Sequence, residues 1–309
     1  MVKLDALDIH LDQPNGCYYA GQVVNGKLLT SSPYLLYLNE LSVTLKGEAR
    51  THWVEKISDN IYDSLEPYMN DRQIIVGGSN TGQEPFLLTP GSHTVPFHFR
   101  LPAHLPSSYE GEFGYVRYTL VAKADISPAS NEYASSKGKE TVVDRAITVF
   151  ASVELKQLTT ASDCGVSKQD LLEIVGCCGS GGHISAVVSI PKTSFLVGQT
   201  MPIRIDLENQ TRRRQGQASV TFVQDVHFRS VSLFQSAHDQ KTVSRVIDSV
   251  RIESPEQGKA LFKEVGMRIP ADLLPTSVGN TLITVRYKVR LDLGKQCEIV
   301  VPVGVASKA

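Results

Sequence analysis

The chain has 309 residues, too many for one core of ordinary size and suited to about two domains. With 41% hydrophobic and 20% charged residues it fills such cores and is not a disordered polyelectrolyte. A formal net charge of −1 excludes a uniformly basic nucleic-acid binder, yet the halves differ: residues 1–150 hold 12 Lys/Arg against 17 Asp/Glu, and residues 151–309 hold 19 against 15, so net −5 stands beside net +4.

Taken in chain order, the N-terminus Met1-Val2-Lys3-Leu4-Asp5, followed by Asp8 and Asp12, has no apolar core of a secretory signal. No stretch of about 18 apolar residues predicts a transmembrane helix. Leu7, Ile9 and Leu11 alternate with Asp8, His10 and Asp12, the period of a strand with one wet face. Ser42 to Lys46 alternates likewise, as does Leu282 to Leu291 through Ile283, Val285, Tyr287 and Val289. Turn signals separate these runs at Pro14-Asn15-Gly16, Gly77-Gly78-Ser79-Asn80, Ser127-Pro128 and Gly279-Asn280. Two short helices are predicted: one near Ile61, Leu65 and Tyr68, weakened by Pro67, and one from an N-cap at Ser167 through Leu171, Leu172 and Ile174 to Gly176. Glu110-Gly111-Glu112 predicts a tight turn with positive φ at Gly111. Many short strands and little helix predict an all-β fold of antiparallel sandwiches.

An internal repeat sets the organisation. Gly21-Gln22 recurs as Gly198-Gln199, and Ser42-Val43-Thr44 as Ser219-Val220-Thr221, both at an offset of 177 residues. Arg100-Leu101-Pro102-Ala103 returns as Arg268-Ile269-Pro270-Ala271, and Val116-Arg117-Tyr118 as Val285-Arg286-Tyr287. Four marks in one order imply a duplicated domain, since a period this long exceeds any solenoid unit. The expected boundaries are 1–150 and 151–306, with a linker over about 151–182 that ends in Gly179-Ser180-Gly181-Gly182. The first copy is longer between its Gly-Gln and Arg-x-Pro-Ala marks, 79 residues against 70, and the surplus is expected near residues 57–85.

Searches for chemistry return little. The five cysteines, Cys17, Cys164, Cys177, Cys178 and Cys297, are sparse and odd in number, as expected of reduced thiols. Cys164, Cys177, Cys178 and His183 match no zinc spacing, and no metal or cofactor is expected. No Gly-x-Ser-x-Gly element occurs, and the Gly179–Gly182 run lacks the Lys-Ser/Thr ending of a phosphate loop. His52 beside Trp53, and Tyr115 with Tyr118, are expected to pack within strands. Arg212-Arg213-Arg214 is the sharpest charge run; it is expected on a loop, as a solvated turn or a contact for anionic lipid or acidic cargo, since guanidinium groups bind such anions bidentately.

The repeated marks carry a resemblance. Gly21-Gln22-Val23-Val24-Asn25-Gly26, Lys46-Gly47-Glu48-Ala49-Arg50-Thr51-His52-Trp53 and, most specifically, Leu105-Pro106-Ser107-Ser108-Tyr109-Glu110-Gly111-Glu112-Phe113-Gly114-Tyr115-Val116-Arg117-Tyr118 resemble α-arrestin motifs. Cys177-Cys178-Gly179-Ser180-Gly181-Gly182-His183-Ile184 is similar to the segment opening that family's second domain. The resemblance implies two arrestin-like sandwiches forming a non-enzymatic, cytosolic, membrane-peripheral adaptor for membrane-protein cargo. In α-arrestins, Pro-Pro-x-Tyr motifs of a C-terminal tail recruit HECT ubiquitin ligases through WW domains. None of the 15 prolines here adjoins another, so ligase binding is expected only with a tail beyond this chain. The thioredoxin-binding branch of the family uses a cysteine near a Gly-Lys step; Glu253-Ser254-Pro255-Glu256-Gln257-Gly258-Lys259 has none, which weighs against a redox regulator. A carbohydrate-binding sandwich would need exposed aromatics, and the single tryptophan, Trp53, lies in a family strand motif. Nucleic acid is not an expected partner.

Overall fold

The computed structural model describes residues 4–56, 59–77, 85–128, 139–158, 166–174, 182–211, 217–233, 237–279, 281–293 and 298–308. The chain divides into two compact units, Met1–Ala151 with Ser230–Ala237, and Ser152–Arg229 with His238–Ala309. The first holds β1 (Ala6–Leu11), β2 (Cys17–Tyr19), β3 (Val23–Ser32), β4 (Leu36–Val54), β5 (Ile61–Gly77), β6 (Phe86–Leu88), β7 (Gly91–Arg100), β8 (Tyr109–Gly111), β9 (Gly114–Ile126) and β10 (Lys139–Phe150). These build a sheet in the order β1-β3-β7 and a larger one in the order β2-β10-β9-β4-β5, with β6 on β4 and β8 on β9. Alternation decides which side chains enter the core. Val43, Leu45, Ala49 and Trp53 of β4 are buried, whereas Lys46, Arg50 and His52 between them are exposed.

The second unit holds a short helix, α1 (Leu155–Leu158), then β11 (Val166–Ile174), β12 (Gly182–Ile190), β13 (Ser194–Leu196), β14 (Thr200–Asn209), β15 (Ala218–Val231), β16 (His238–Ile252), β17 (Ala260–Arg268), β18 (Ile283–Asp292) and β19 (Glu298–Ala306). Its sheets run β11-β12-β14-β17 and β13-β19-β18-β15-β16. The fold is all-β: two antiparallel sandwiches of one plan.

The plan repeats at the level of single hydrogen bonds. β2 joins β10 in parallel as β13 joins β19. Gly21 and Gly198 take φ values of 88° and 83°, conformations that favour glycine. Leu101 N donates to Gln22 O at 2.9 Å and Ile269 N to Gln199 O at 2.8 Å. Val149 N is capped by Ser108 Oγ at 2.9 Å, and Val305 N by Thr276 Oγ1 at 2.8 Å. Tyr118 donates its hydroxyl to Pro106 O at 2.7 Å, Tyr287 to Leu274 O at 2.5 Å. A tyrosine thus ties each Pro-bounded loop to the strand behind it, the device of a tyrosine corner.

Neither predicted helix forms. Residues 167–174 belong to strand β11, paired with β12 from Val166↔Ile190 to Ile174↔Gly182. Ile61, Leu65 and Tyr68 lie on β5, whose period is broken by a register shift: Gly47 pairs Met69 while Glu48 pairs Pro67, leaving Tyr68 as the extra residue of a bulge. That insertion moves side chains out of period 2 and imitates a helical spacing. The surplus of the first copy lies partly in this hairpin, because β4 and β5 have 19 and 17 residues where β15 and β16 have 14 and 15. Gly111 is not a positive-φ residue; a Cβ there would lie 2.5 Å from the Tyr109 ring, so the position needs space rather than an unusual backbone.

Candidate functional site

The two most specific motifs of the sequence become neighbours because β4 pairs with β9: Ala49 faces Val116, Arg50 faces Tyr115 and Glu48 faces Arg117. Strand alternation then splits them. Ala49, Trp53, Val116 and Tyr118 enter the core, where Trp53 stacks on Tyr62 with ring centroids 5.6 Å apart and meets Phe113 edge-on at 6.1 Å. Gly47 lies directly across from Tyr118, and a Cβ there would come within 2.6 Å of the Tyr118 ring. The Gly-x-Ala pattern therefore clears the space in which the locking tyrosine lies.

The alternate residues make an outward polar ladder. Arg50 binds Asp63 of β5 through two bonds, Nε to Oδ1 at 3.0 Å and Nη2 to Oδ2 at 2.6 Å, and His52 Nδ1 stands 3.4 Å from the same carboxylate. Arg117 binds Glu110 of β8 in the same bidentate way at 2.7 and 2.8 Å, and its guanidinium lies 3.8 Å over the Tyr115 ring. Tyr115 donates to Glu48 at 3.2 Å. The hydrogen bond from Arg50 holds Asp63 below the ordinary carboxylate range, and the bond that Arg117 donates to Glu110 raises Arg117. Farther along the same face, burial pushes Glu40 up, but bonds from Ser42 and Arg72 outweigh it and its pKa is lowered. Arg50 and Arg117 are thus charged and held in place. Exposed pairs add little stability, on the order of 1 kcal/mol or less. Their effect is to fix the orientation of groups a partner would meet.

Beside Arg117 the sheet opens between β8 and β10 into a cleft of about 280 Å³ lined by Tyr109, Glu110, Arg117, Thr119, Ala146 and Thr148. Burial pushes the Tyr109 hydroxyl up, so it is a neutral donor at physiological pH. Hydroxyls and one ion pair give this cleft a binding chemistry.

The residues singled out from sequence fare unevenly. Arg212, Arg213 and Arg214 fall outside the described residues, between the ends of β14 and β15. Cys164, Cys177, Cys178 and Cys297 also fall outside them; Cys17 is a half-buried free thiol at the start of β2. Among the described residues no group of three His, Cys, Asp or Glu side chains is placed to hold a metal ion. Asn209, the last residue of β14, is fully buried, its amide donating to Pro255 O at 3.0 Å and accepting from Thr211. It supports a turn. Trp53 and Tyr118 pack as expected, but His52 is exposed and contacts Asp63 instead of packing. Arg50, Asp63, Arg117 and Glu110 were missed, although charges at 46, 48, 50 and 52 within an alternating strand carried the signal.

Residues 7–155 match the arrestin (or S-antigen) N-terminal domain, and residues 180–303 match the arrestin (or S-antigen) C-terminal domain. The chain belongs to the arrestin-domain family. Arrestin domain-containing protein 17 of Caenorhabditis elegans is 27% identical over 323 residues, spanning 99% of this chain and 71% of its own length. Arrestin domain-containing protein 15 of the same organism is 26% identical over 91% of this chain and 74% of its own length. Mouse arrestin domain-containing protein 4 is 24% identical over 78% of this chain and 55% of itself. Membership assigns this arrestin-like chain an adaptor role in general terms. Among the described residues no helix is long and apolar enough to cross a membrane.

Proposed function

We propose that this family member is a non-enzymatic adaptor that engages membrane-protein cargo and supports its endocytosis or sorting. The observation that carries the reading is the outward ladder of β4, β5, β8 and β9: the family motif residues left over from the core are ordered, charged and solvent-facing, with Arg50 and Arg117 each fixed by two bonds. Such a face suits acidic or phosphorylated juxtamembrane segments of cargo, which can exchange for Asp63 and Glu110 at the guanidinium groups. HECT ligases join this reading only through a Pro-Pro-x-Tyr tail, which residues 1–309 do not contain. The Arg212–Arg214 run is proposed as a second, weaker contact with anionic membrane, supported by the net positive charge of its half.

The test is proximity labelling in cells with wild type and with the double variant Arg50→Ala, Arg117→Ala. We expect the variant to keep the wild-type Trp53 fluorescence and to lose only the small stability of two exposed ion pairs, on the order of 1 kcal/mol or less each, while losing most membrane-protein neighbours. An unchanged neighbour set in a folded variant would remove the ladder from the cargo site.

A further inference from the structure

The duplicated plan puts two equivalent strands at the end of a sheet, β7 in the first unit and β17 in the second, aligned by the Arg100-Leu101-Pro102-Ala103 and Arg268-Ile269-Pro270-Ala271 marks. The bond from Leu101 N to Gln22 O fixes the phase of β7 against β3, so even-numbered residues of β7 turn their backbone groups away from the sheet. Two of these outward positions are closed to a further strand. Pro96 has no N–H, and His98 N donates to Gln73 Oε1 at 3.3 Å.

The equivalent edge of the second unit is open. β17 pairs with β14 in one unbroken register from Thr200↔Arg268 to Glu208↔Ala260. Its phase is fixed at both ends, where Ile269 N donates to Gln199 O at 2.8 Å and Asn209 N to Lys259 O at 3.0 Å. Odd-numbered residues of β17 therefore face β14, and Phe262, Glu264, Gly266 and Arg268 turn their N–H and C=O groups outward. Glu264 and Gly266 stand where the first unit has Pro96 and His98. Among the described residues β17 neighbours β14 alone in its sheet. The side chains of the four outward residues share one exposed face, while Val265 and Met267 enter the core. Phe262 is 52% exposed, with the Arg204 guanidinium 4.5 Å from its ring centroid. Neither Glu264 nor Arg268 is in an ion pair among the described residues.

We propose that the open edge of β17 pairs antiparallel with β17 of a second copy of this chain, joining two four-stranded sheets into one. The sequence of the edge is complementary to itself when reversed. With Val265 opposite Val265, Phe262 faces Arg268 of the other copy and Glu264 faces Gly266. Both contacts occur twice by symmetry, so the outward groups exchange about eight main-chain bonds. The glycine leaves room beside Glu264, whose carboxylate reaches the diagonally placed Arg268 of the other copy, and the same guanidinium lies against Phe262. Charge also fixes the register. Sliding the other copy by two residues sets Glu264 against Glu264, and sliding it the opposite way sets Phe262 against Pro270, which has no N–H. The inference goes beyond the adaptor reading and does not depend on it; in an adaptor, pairing would give each assembly two copies of the Arg50–Arg117 ladder.

The experiment follows sedimentation of the full chain over a range of concentrations, with amide exchange read along β17. We expect a concentration-dependent dimer in which the amides of Phe262, Glu264, Gly266 and Arg268 exchange more slowly than in dilute protein. Glu264→Pro copies into the second unit the guard that Pro96 provides in the first and removes no bond to β14, so it should give a folded monomer. Arg268→Glu and Glu264→Arg each bring like charges together twice per dimer and should weaken pairing roughly tenfold. An equimolar mixture of these two variants should pair again, because each charge then meets its opposite. A chain that stays monomeric at its highest soluble concentration overturns the proposal, including one whose β17 amides slow only when another protein is added. So does a dimer that forms without slower exchange along β17, or one that Glu264→Pro and the charge variants leave unchanged.

Discussion

The two units solve one packing problem in two ways. Each locks a loop with a buried tyrosine hydroxyl, Tyr118 on Pro106 O and Tyr287 on Leu274 O. Across the ladder from Tyr118 stands Gly47, and at the equivalent place across from Tyr287 stands Gln224. In the first unit the missing side chain leaves room beside Gly47 for the Tyr118 ring and for Met69. In the second, Gln224 Nε2 donates to the Tyr287 hydroxyl at 2.7 Å and Phe222 stacks on the ring at 5.5 Å. One site is fixed by volume and the other by a buried hydrogen-bond chain. Volume tolerates no added atom, and a chain of bonds tolerates no deleted one.

The sharpest way to break this comparison is to exchange the two residues. Gly47→Gln puts a side chain where a Cβ alone lies 2.6 Å from the Tyr118 ring and 3.0 Å from Met69 Cγ, so it should cost about 3 kcal/mol through displaced packing. The loss is read from urea unfolding followed by the fluorescence of Trp53, the single tryptophan, which lies in the same unit. Gln224→Gly should cost less, about 1 to 2 kcal/mol, for one hydrogen bond and a strand glycine. Amide exchange in β18 reports it. Equal costs in the two directions would mean that the sites are not opposites.

Removing the hydroxyls probes the same contrast more gently. Tyr118→Phe leaves one backbone carbonyl without its donor and should cost about 1 kcal/mol. Tyr287→Phe strands both the Leu274 carbonyl and the Gln224 amide, so it should cost about 2 kcal/mol or more. Burial raises both hydroxyl pKa values, so both tyrosines stay neutral donors through the pH range of the measurement. A larger loss at Tyr118 would place the main support of that loop in the hydrogen bond and not in the Gly47 space.

These sites also mark how far the sequence could be read. The duplicated motifs predicted two sandwiches because Gly21, Gly198, Tyr118 and Tyr287 are required by local geometry that recurs in each copy. Regular alternation identified β1, β4 and β18 for the same reason. The two predicted helices failed where alternation is lost. At Tyr68 a bulge shifts the phase of β5, and β11 is an edge strand whose pairing with β12, and not its own pattern, makes it a strand. The ladder was legible as a set of charges at alternate positions, yet its partners Asp63 and Glu110 come from strands that only the pairing brings alongside. Pairing is a long-range property, and a motif read alone does not contain it.

The smallest expected effect concerns two buried or half-buried carboxylates, one in each unit. Asp63 is held below its ordinary pKa by the bond from Arg50. At Asp225 burial pushes upward, but Lys288 at 2.7 Å and Ser244 at 2.7 Å outweigh it, and the net shift is again downward. A carboxylate whose folded pKa lies below its unfolded value, about 3.9 for Asp, stabilises the fold fully above that value. The contribution is lost as pH falls through the folded pKa, because the unfolded chain then binds more protons than the folded one until both are protonated. Both units should therefore weaken toward acid, and Asn substitutions should remove that slope. Asp63→Asn should lower the urea midpoint seen by Trp53 at pH 7 and converge on wild type as pH drops below about 4. Asp225→Asn should do the same in β18 exchange with a larger gap at pH 7, since its side chain is only 10% exposed against 18% for Asp63, and the substitution leaves Lys288 without its partner. If the two gaps are equal and neither closes toward acid, these carboxylates do not set the acid limit of the fold, and their lost hydrogen bonds alone account for the change.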